Sequence, residues 1–245
     1  MCEVDNFGTR RWFNNDGELH RDGDQPAVVY PNGTKEWWVN GNRHRDGDQP
    51  AIVYPNGTKQ WWVNGNRHRD GDQPAVVKFD GSKQWWVNGR KHRDRGLPAL
   101  IYSNGYQAWW VNGQLHRDGD QHACIWSNGT KEWWINGKQH RGGDQPAIVW
   151  PNGFKEWWVN GKRHRDGGLP AVVYPNKSKK WYFEGYPITE DQSKRIAARQ
   201  ARARRRAGYL LFDRFVAPRI YDMSHPWGQR RCQESYQEYL KLINL

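Results

Sequence analysis

Residues 44–67 read HRDGDQPAIVYPNGTKQWWVNGNR, and close copies of this 24-residue phrase follow one another along most of the chain. His20, His44, His68, His92, His116, His140 and His164 keep the 24-residue spacing, and each is followed by Arg. The aromatic pairs Trp37-Trp38, Trp61-Trp62, Trp85-Trp86, Trp109-Trp110, Trp133-Trp134, Trp157-Trp158 and Trp181-Tyr182 keep it too. No insertion breaks the period between His20 and Tyr182. Such constancy predicts stacked units, each matched to its neighbour.

The signals inside a unit are those of β-structure. Ala27-Val28-Val29-Tyr30 is short, branched and aromatic, Pro31-Asn32-Gly33-Thr34 is a turn, and Lys35 to Val39 is a second strand. Asn40-Gly41 is a strong hairpin signal, because both residues tolerate positive φ. A two-residue loop at Asn32-Gly33 places Tyr30 opposite Lys35, Val29 opposite Glu36 and Val28 opposite Trp37. A second at Asn40-Gly41 places Trp38 opposite Arg43, Trp37 opposite His44 and Glu36 opposite Arg45. One face then carries Val28, Trp37, Val39 and His44, and reads as buried. The other carries Trp38 with Arg43 and Glu36 with Arg45, and reads as a wet face held by cation–π contacts and charge pairs. Two main strands per unit at ~4.8 Å spacing imply a rise of about 10 Å per unit and a rod roughly 70 Å long.

The phrase erodes at both ends. Arg11-Trp12-Phe13-Asn14-Asn15-Asp16-Gly17 is an imperfect first copy, and in the last copy Lys177 and Glu184-Gly185 replace the usual turn residues. Residues 1–19 read as an imperfect cap, 20–186 as the repeat array and 187–245 as a basic helical region. Thr189-Glu190-Asp191-Gln192 is a capping box, which starts a helix from about 190 to 207 ending at Gly208. Lys194, Arg195, Arg199, Arg202, Arg204, Arg205 and Arg206 place seven positive charges on it without an acid between them. Tyr209–Phe212 and Phe215-Val216 are apolar enough to dock. A last helix near 229–243 would align Cys232, Tyr236, Tyr239, Leu240 and Ile243 on one face.

Composition fits this reading. In 245 residues, Leu, Ile, Val and Phe number 41, and the net charge is +12. That balance alone suggests disorder. Seventeen Trp and eleven Tyr reverse the conclusion, since each large ring can bury ~150–250 Å². The chain has no apolar run long enough for a transmembrane helix and no secretory leader. Cys2, Cys124 and Cys232 lie far apart without metal spacing, which suggests a reducing compartment.

The phrase YPNGTKEWWVNGNRHR, residues 30–45, resembles the MORN (membrane occupation and recognition nexus) repeat: similar period, aromatic residues, Asn-Gly turns and a His after the second turn. The likeness covers residues 11–186. The chain departs from that pattern where Arg21, Arg45 and their equivalents replace a Gly, and in its longer DGDQPA loop. The resemblance implies an extended antiparallel sheet used for scaffolding, self-association or anionic lipid binding. Tandem units of this variant type look like those of large DNA viruses and some bacteria, which implies a virion-associated or cytoplasmic, non-secreted protein.

Several chemical readings can be weighed from spacing. Equivalent histidines ~10 Å apart cannot share one metal ion, so a His packed on Trp37-type rings and donating to backbone is the simpler assignment. The DGD loops resemble Ca²⁺ loops, but the Asp24 position becomes Gly96 and Gly168, and the Asp22 position becomes Gly142. Turn capping and pairing with the adjacent Arg explain them without an ion. Asn32-Gly33-Thr34 and its counterparts match the glycosylation sequon because turns favour Asn-Gly. His122, His225, Cys124 and Cys232 show no nucleophile or metal motif, and recurrent polar groups on a regular surface do not make the unique constellation catalysis needs. Neither a catalytic residue, a metal nor a cofactor is expected.

These readings lead to one expectation and two alternatives. The first is an elongated all-β repeat of about seven units with a helical C-terminal cap, acting as a non-enzymatic scaffold. Its protein partner or second copy would meet Trp38, Trp62, Trp86, Trp110, Trp134 and Trp158 with Arg45 and Arg69. The second is anion binding, to nucleic acid or acidic lipid, through Lys194 to Arg206. The third is carbohydrate binding along the Trp ladder.

Overall fold

The computed structural model describes residues 1–206, with side chains through Ala203. The chain divides into two compact units, Met1–Lys162 and the part from Arg163 onward. Over the described residues the fold is an all-β repeat of tandem antiparallel hairpins followed by one α-helix.

In the first unit each 24-residue repeat makes two small β-elements. A sheet pair comes first, Val28–Val29 with Lys35–Glu36, then Ile52–Val53 with Lys59–Gln60, and so on to Ile148–Val149 with Lys155–Glu156. Each pair also joins the next antiparallel, as Lys35–Glu36 joins Ile52–Val53. Order in the sheet is therefore order in the chain. The imperfect first copy opens the series, with Cys2–Val4 pairing Arg10–Trp12 and the latter pairing Val28–Val29. A second, narrower hairpin follows in each repeat, as in Trp38–Val39 with Asn42–Arg43.

The first residue of each Trp pair joins these two elements. The Trp37 N–H donates to the Ala51 carbonyl of the next repeat at 2.8 Å, while its own carbonyl accepts the His44 N–H at 3.2 Å. Its indole N–H donates to the Asp24 carbonyl at 3.1 Å. With both backbone groups and the ring nitrogen satisfied, the ring can be buried at little polar cost. Trp37, Trp61, Trp85, Trp109, Trp133 and Trp157 are all buried, and the alanines beside them, Ala27 through Ala171, are fully covered. Small alanines let large indoles fill a thin core.

The first turn corrects the expected register. Val28 faces Glu36 and Val29 faces Lys35, one residue away from the two-residue-loop pairing. Tyr30 N–H donates to Thr34 O and Gly33 N–H to Tyr30 O, both at 2.9 Å, which makes a three-residue loop of Pro31-Asn32-Gly33. Asn32 Oδ1 accepts the Thr34 N–H at 2.9 Å, and Gly33 takes φ +85°. A type I turn closed by a left-handed Gly has this form. The Asn40-Gly41 turn is as expected, with both residues at positive φ and Trp38 opposite Arg43.

Two face assignments change as well. Glu36 is buried on the side expected to be wet, and Val39 is exposed at the hairpin rim instead of lying inside. Glu36 pairs with Arg43 at 3.3 Å, whereas Arg45 belongs to a different ion pair described below.

In the second unit Val172–Val173 pairs with a continuous strand, Lys179–Phe183, which pairs with Tyr186–Ile188. The helix α1, Glu190–Arg206, follows. Its capping box forms as the sequence predicts: Thr189 N–H donates to Gln192 Oε1 at 2.8 Å, and Gln192 N–H to Thr189 Oγ1 at 3.2 Å. The helix packs against Lys179–Phe183, with Ser193 buried. Gly168 lets it approach, since a Cβ there would lie 3.4 Å from Lys194 Cα. The readings for Gly208, Tyr209–Phe212, Phe215-Val216 and the helix near 229–243 lie outside the described residues.

Candidate functional site

The repeated polar side chains converge on the loops between repeats, and they face their own chain. His44 shows the pattern. Its Nδ1 accepts the N–H of Asn64, 20 residues on in the next hairpin turn, at 3.2 Å, so the ring proton sits on Nε2, which lies 2.9 Å from Asp46 Oδ1. His20, His68, His92 and His116 repeat both contacts. The backbone contact runs opposite to the expected one: the histidine accepts from backbone and donates to a carboxylate. This arrangement uses both ring nitrogens, which removes the lone pair a metal would need. Among the described residues no cluster of three His, Cys, Asp or Glu could hold a metal ion.

Arg45 is the second fastening. Its Nε and Nη2 reach 21 residues back to Asp24 at 2.6 and 2.9 Å. Its Nη1 donates to the Pro50 carbonyl at 3.2 Å, and its guanidinium sits 3.9 Å from the Trp37 ring centre. Arg69 does the same with Asp48 and Trp61. A planar fork stacked on an indole and gripping a carboxylate with two bonds suits arginine and not lysine. The guanidiniums hold Asp24, Asp48 and Asp72 below the usual carboxylate range. Arg45 and Arg69 thus sit in contacts between repeats.

The second residue of each Trp pair builds a different column. Trp38, Trp62, Trp86, Trp110, Trp134 and Trp158 are half-buried. The Trp38 indole N–H donates to Glu36 Oε2 at 2.9 Å, and Trp62, Trp86 and Trp134 bond the acid or amide two residues back in the same way. Cations sit between the rings. Arg43 lies 4.6 Å from the Trp38 ring centre and 5.2 Å from that of Trp62. Arg67 joins Trp62 to Trp86 at 5.0 and 5.1 Å, and Lys91 joins Trp86 to Trp110 at 5.4 and 4.7 Å. Burial lowers the pKa of Arg67 and Lys91, and the indole faces compensate part of that cost.

The pattern changes at one repeat. Glu36 and Arg43 have Ala108 and Leu115 as counterparts, and Thr34 has Tyr106. Leu100, Ala108 and Cys124 form a buried apolar cluster flanked by Tyr102, Tyr106, Trp110, Leu115 and Trp134. Tyr106 Oη lies 3.6 Å from Cys124 Sγ. Burial pushes the Cys124 thiol up to about 12, which makes it a core residue and not a nucleophile. His122 stands edge-on between the Trp109 and Trp133 rings, 5.8 Å from each, and burial lowers its pKa.

On α1, Arg195, Arg199 and Arg202 are exposed. Lys194 is exposed but paired with Glu190 at 2.7 Å. Arg204, Arg205 and Arg206 fall in the last turn. No described helix is long and apolar enough to cross a membrane.

Sequence reasoning missed one feature, a cleft of about 520 Å³ lined by Arg95, Gly96, Leu97, Trp110 and Arg117 among others. The signal was present: RDRGLP at 93–98 stands where other loops read RDGDQP.

No protein-family model matches the chain, and no curated protein is similar to it. Among solved structures, the TCP10 domain of Danio rerio CPAP is similar at 15% identity and a TM-score of 0.22, covering 77% of this chain and 98% of that one. A likeness this low carries no argument about fold or function.

Proposed function

We propose that the protein is a non-enzymatic interaction scaffold whose contact surface is the Trp38-type column with its seated cations. The supporting observation is how the recurrent chemistry is used. The recurrent His and Arg side chains described above are spent on fastening one repeat to the next, which leaves a periodic aromatic–cation strip as the feature offered outward. Half-buried aromatic strips suit protein contacts. The MORN-type relationship, and with it a virion or viral-factory setting, belongs to this proposal on the strength of the repeat phrase.

The test is light scattering after size exclusion. A defined oligomer should form, survive deletion of 190–245, and disperse when Trp62→Ser and Trp86→Ser are combined in a chain whose circular dichroism is unchanged. A monomer at all concentrations would count against self-association.

The exposed Arg195, Arg199 and Arg202 favour a second reading, anion binding through α1. It predicts binding to DNA or acidic vesicles that Arg195→Glu with Arg199→Glu and Arg202→Glu abolishes and that fades with salt. Sugar stacking is disfavoured, because two guanidiniums already sit against the Trp62 ring.

A further inference from the structure

We propose that the cleft between Arg95, Leu97 and Arg117 is a docking site for an acidic side chain on a partner peptide. Four repeats show what belongs there. Arg45, Arg69, Arg93 and Arg141 each grip an aspartate 21 residues earlier through Nε and Nη2, at 2.6–3.0 Å. Arg117 is held in the same setting, 4.0 Å above Trp109 and with Nη1 on the His122 carbonyl at 3.2 Å. The residue 21 before it is Gly96. Among the described residues no carboxylate meets the Arg117 Nε and Nη2.

The same exchange of Asp for Gly occurs at Gly168, and there the space is used by helix α1. At Gly96 a Cβ would meet nothing within 4 Å. The opening is also equipped for an anion. Arg95 stands where other loops carry Gly, and holds φ +59°, a conformation that L side chains disfavour. The loop has thus lost an acid and gained a base. The two acids nearby are engaged, Asp94 with His92 and Asp118 with His116, each at 2.9 Å. Arg93 is engaged with Asp72.

The occupant follows from this chemistry. A planar fork takes a carboxylate through two parallel bonds, and in the sister repeats that carboxylate is an aspartate on a peptide loop. Leu97 replaces Gln and is 39% exposed beside the opening, so an apolar residue next to the acid would be covered too. The cleft shares Trp110 with the aromatic strip proposed above as the scaffold's contact surface, but the groups that would take the carboxylate, Arg117 and Arg95, lie outside that strip.

The experiment uses the full chain and a fluorescein-labelled peptide Gly-Leu-Asp-Leu-Gly, with the Asn peptide as control, read by anisotropy. Gly96→Asp restores the loop residue of the sister repeats, at a φ of +65° close to the +52° to +55° their aspartates adopt. It should keep or raise the melting temperature while weakening peptide binding at least about tenfold. Arg117→Gln and the Asn peptide should weaken it similarly, and Arg95→Gly by about threefold. Asp48→Gly, which frees Arg69, should add a binding site. Equal affinity of wild type and Gly96→Asp, or no binding by wild type at millimolar peptide, overturns the proposal. A phosphoserine peptide or inorganic phosphate that binds with the same Gly96→Asp sensitivity while the Asp peptide does not overturns the carboxylate assignment. Light scattering on the same samples separates this result from the scaffold reading, since Gly96→Asp leaves the aromatic strip intact.

Discussion

At His20, His44, His68, His92, His116 and His164, one ring nitrogen accepts the backbone N–H 20 residues on and the other donates to the aspartate two residues on. Removing the ring takes away the acceptor of that N–H. His68→Ala should therefore cost about 0.5–1.5 kcal/mol in urea unfolding, and His68→Phe should not rescue it, because a phenyl ring fills the space but accepts no bond. The aspartates give a pH signature. The folded-state pKa of Asp24, Asp48 and Asp72 is depressed by the arginine fork. Their contribution is then complete above the unfolded carboxylate pKa, about 4, and is lost as pH falls through the lower folded values. Melting temperatures followed from pH 6 to pH 2 should drop below about pH 4, and Asp48→Asn should flatten part of that slope. These roles were not legible in the phrase. Arg45 looked like a partner for Glu36 within one strand ladder, whereas its carboxylate lies 21 residues earlier and becomes a neighbour only when repeats stack.

For the elements, the period and the Asn40-Gly41 turn could be read because both rest on local backbone preference, and the capping box could be read for the same reason. The Pro31-Asn32-Gly33 loop was misjudged by one residue. Proline at the first loop position favours a type I turn, which then needs a left-handed Gly and a third loop residue. Reading Asn-Gly alone hid that requirement and put Glu36 on the wrong partner. The apolar repeat makes an independent check. Ala108→Glu introduces a carboxylate beside Cys124 and Tyr106 and should destabilise by about 3 kcal/mol. Adding Leu115→Arg, which rebuilds the Glu36–Arg43 pair in this repeat, should recover part of the loss. A double-mutant cycle in urea measures the coupling. On α1, Gly168→Asp should push against Lys194 Cα and lower amide protection across Glu190–Arg206, read by hydrogen exchange.

In the first unit as a whole, sheet neighbours are chain neighbours, so contacts are short-range in sequence and stability is close to a sum over repeats. Removing residues 68–91 joins Arg67 to His92 and leaves the phrase and its fastenings in phase. That variant should fold, with a smaller denaturant m-value because less surface is exposed on unfolding. Removing only 68–79 destroys the phase, and that variant should show no cooperative transition.

The side-chain fastenings also have a direction. Each such loop supplies the acceptors, and the donors come from farther along the chain, from the next hairpin turn and the next loop. An aspartate in the fourth loop place is thus a request for a successor. RDGD calls for another copy and RDGG admits a helix in its place. RDRG addresses the request to a different molecule. The array carries a punctuation of its own: where that place holds Asp48 the next loop of the chain answers it, and at Gly96 the copies run on with the place left open.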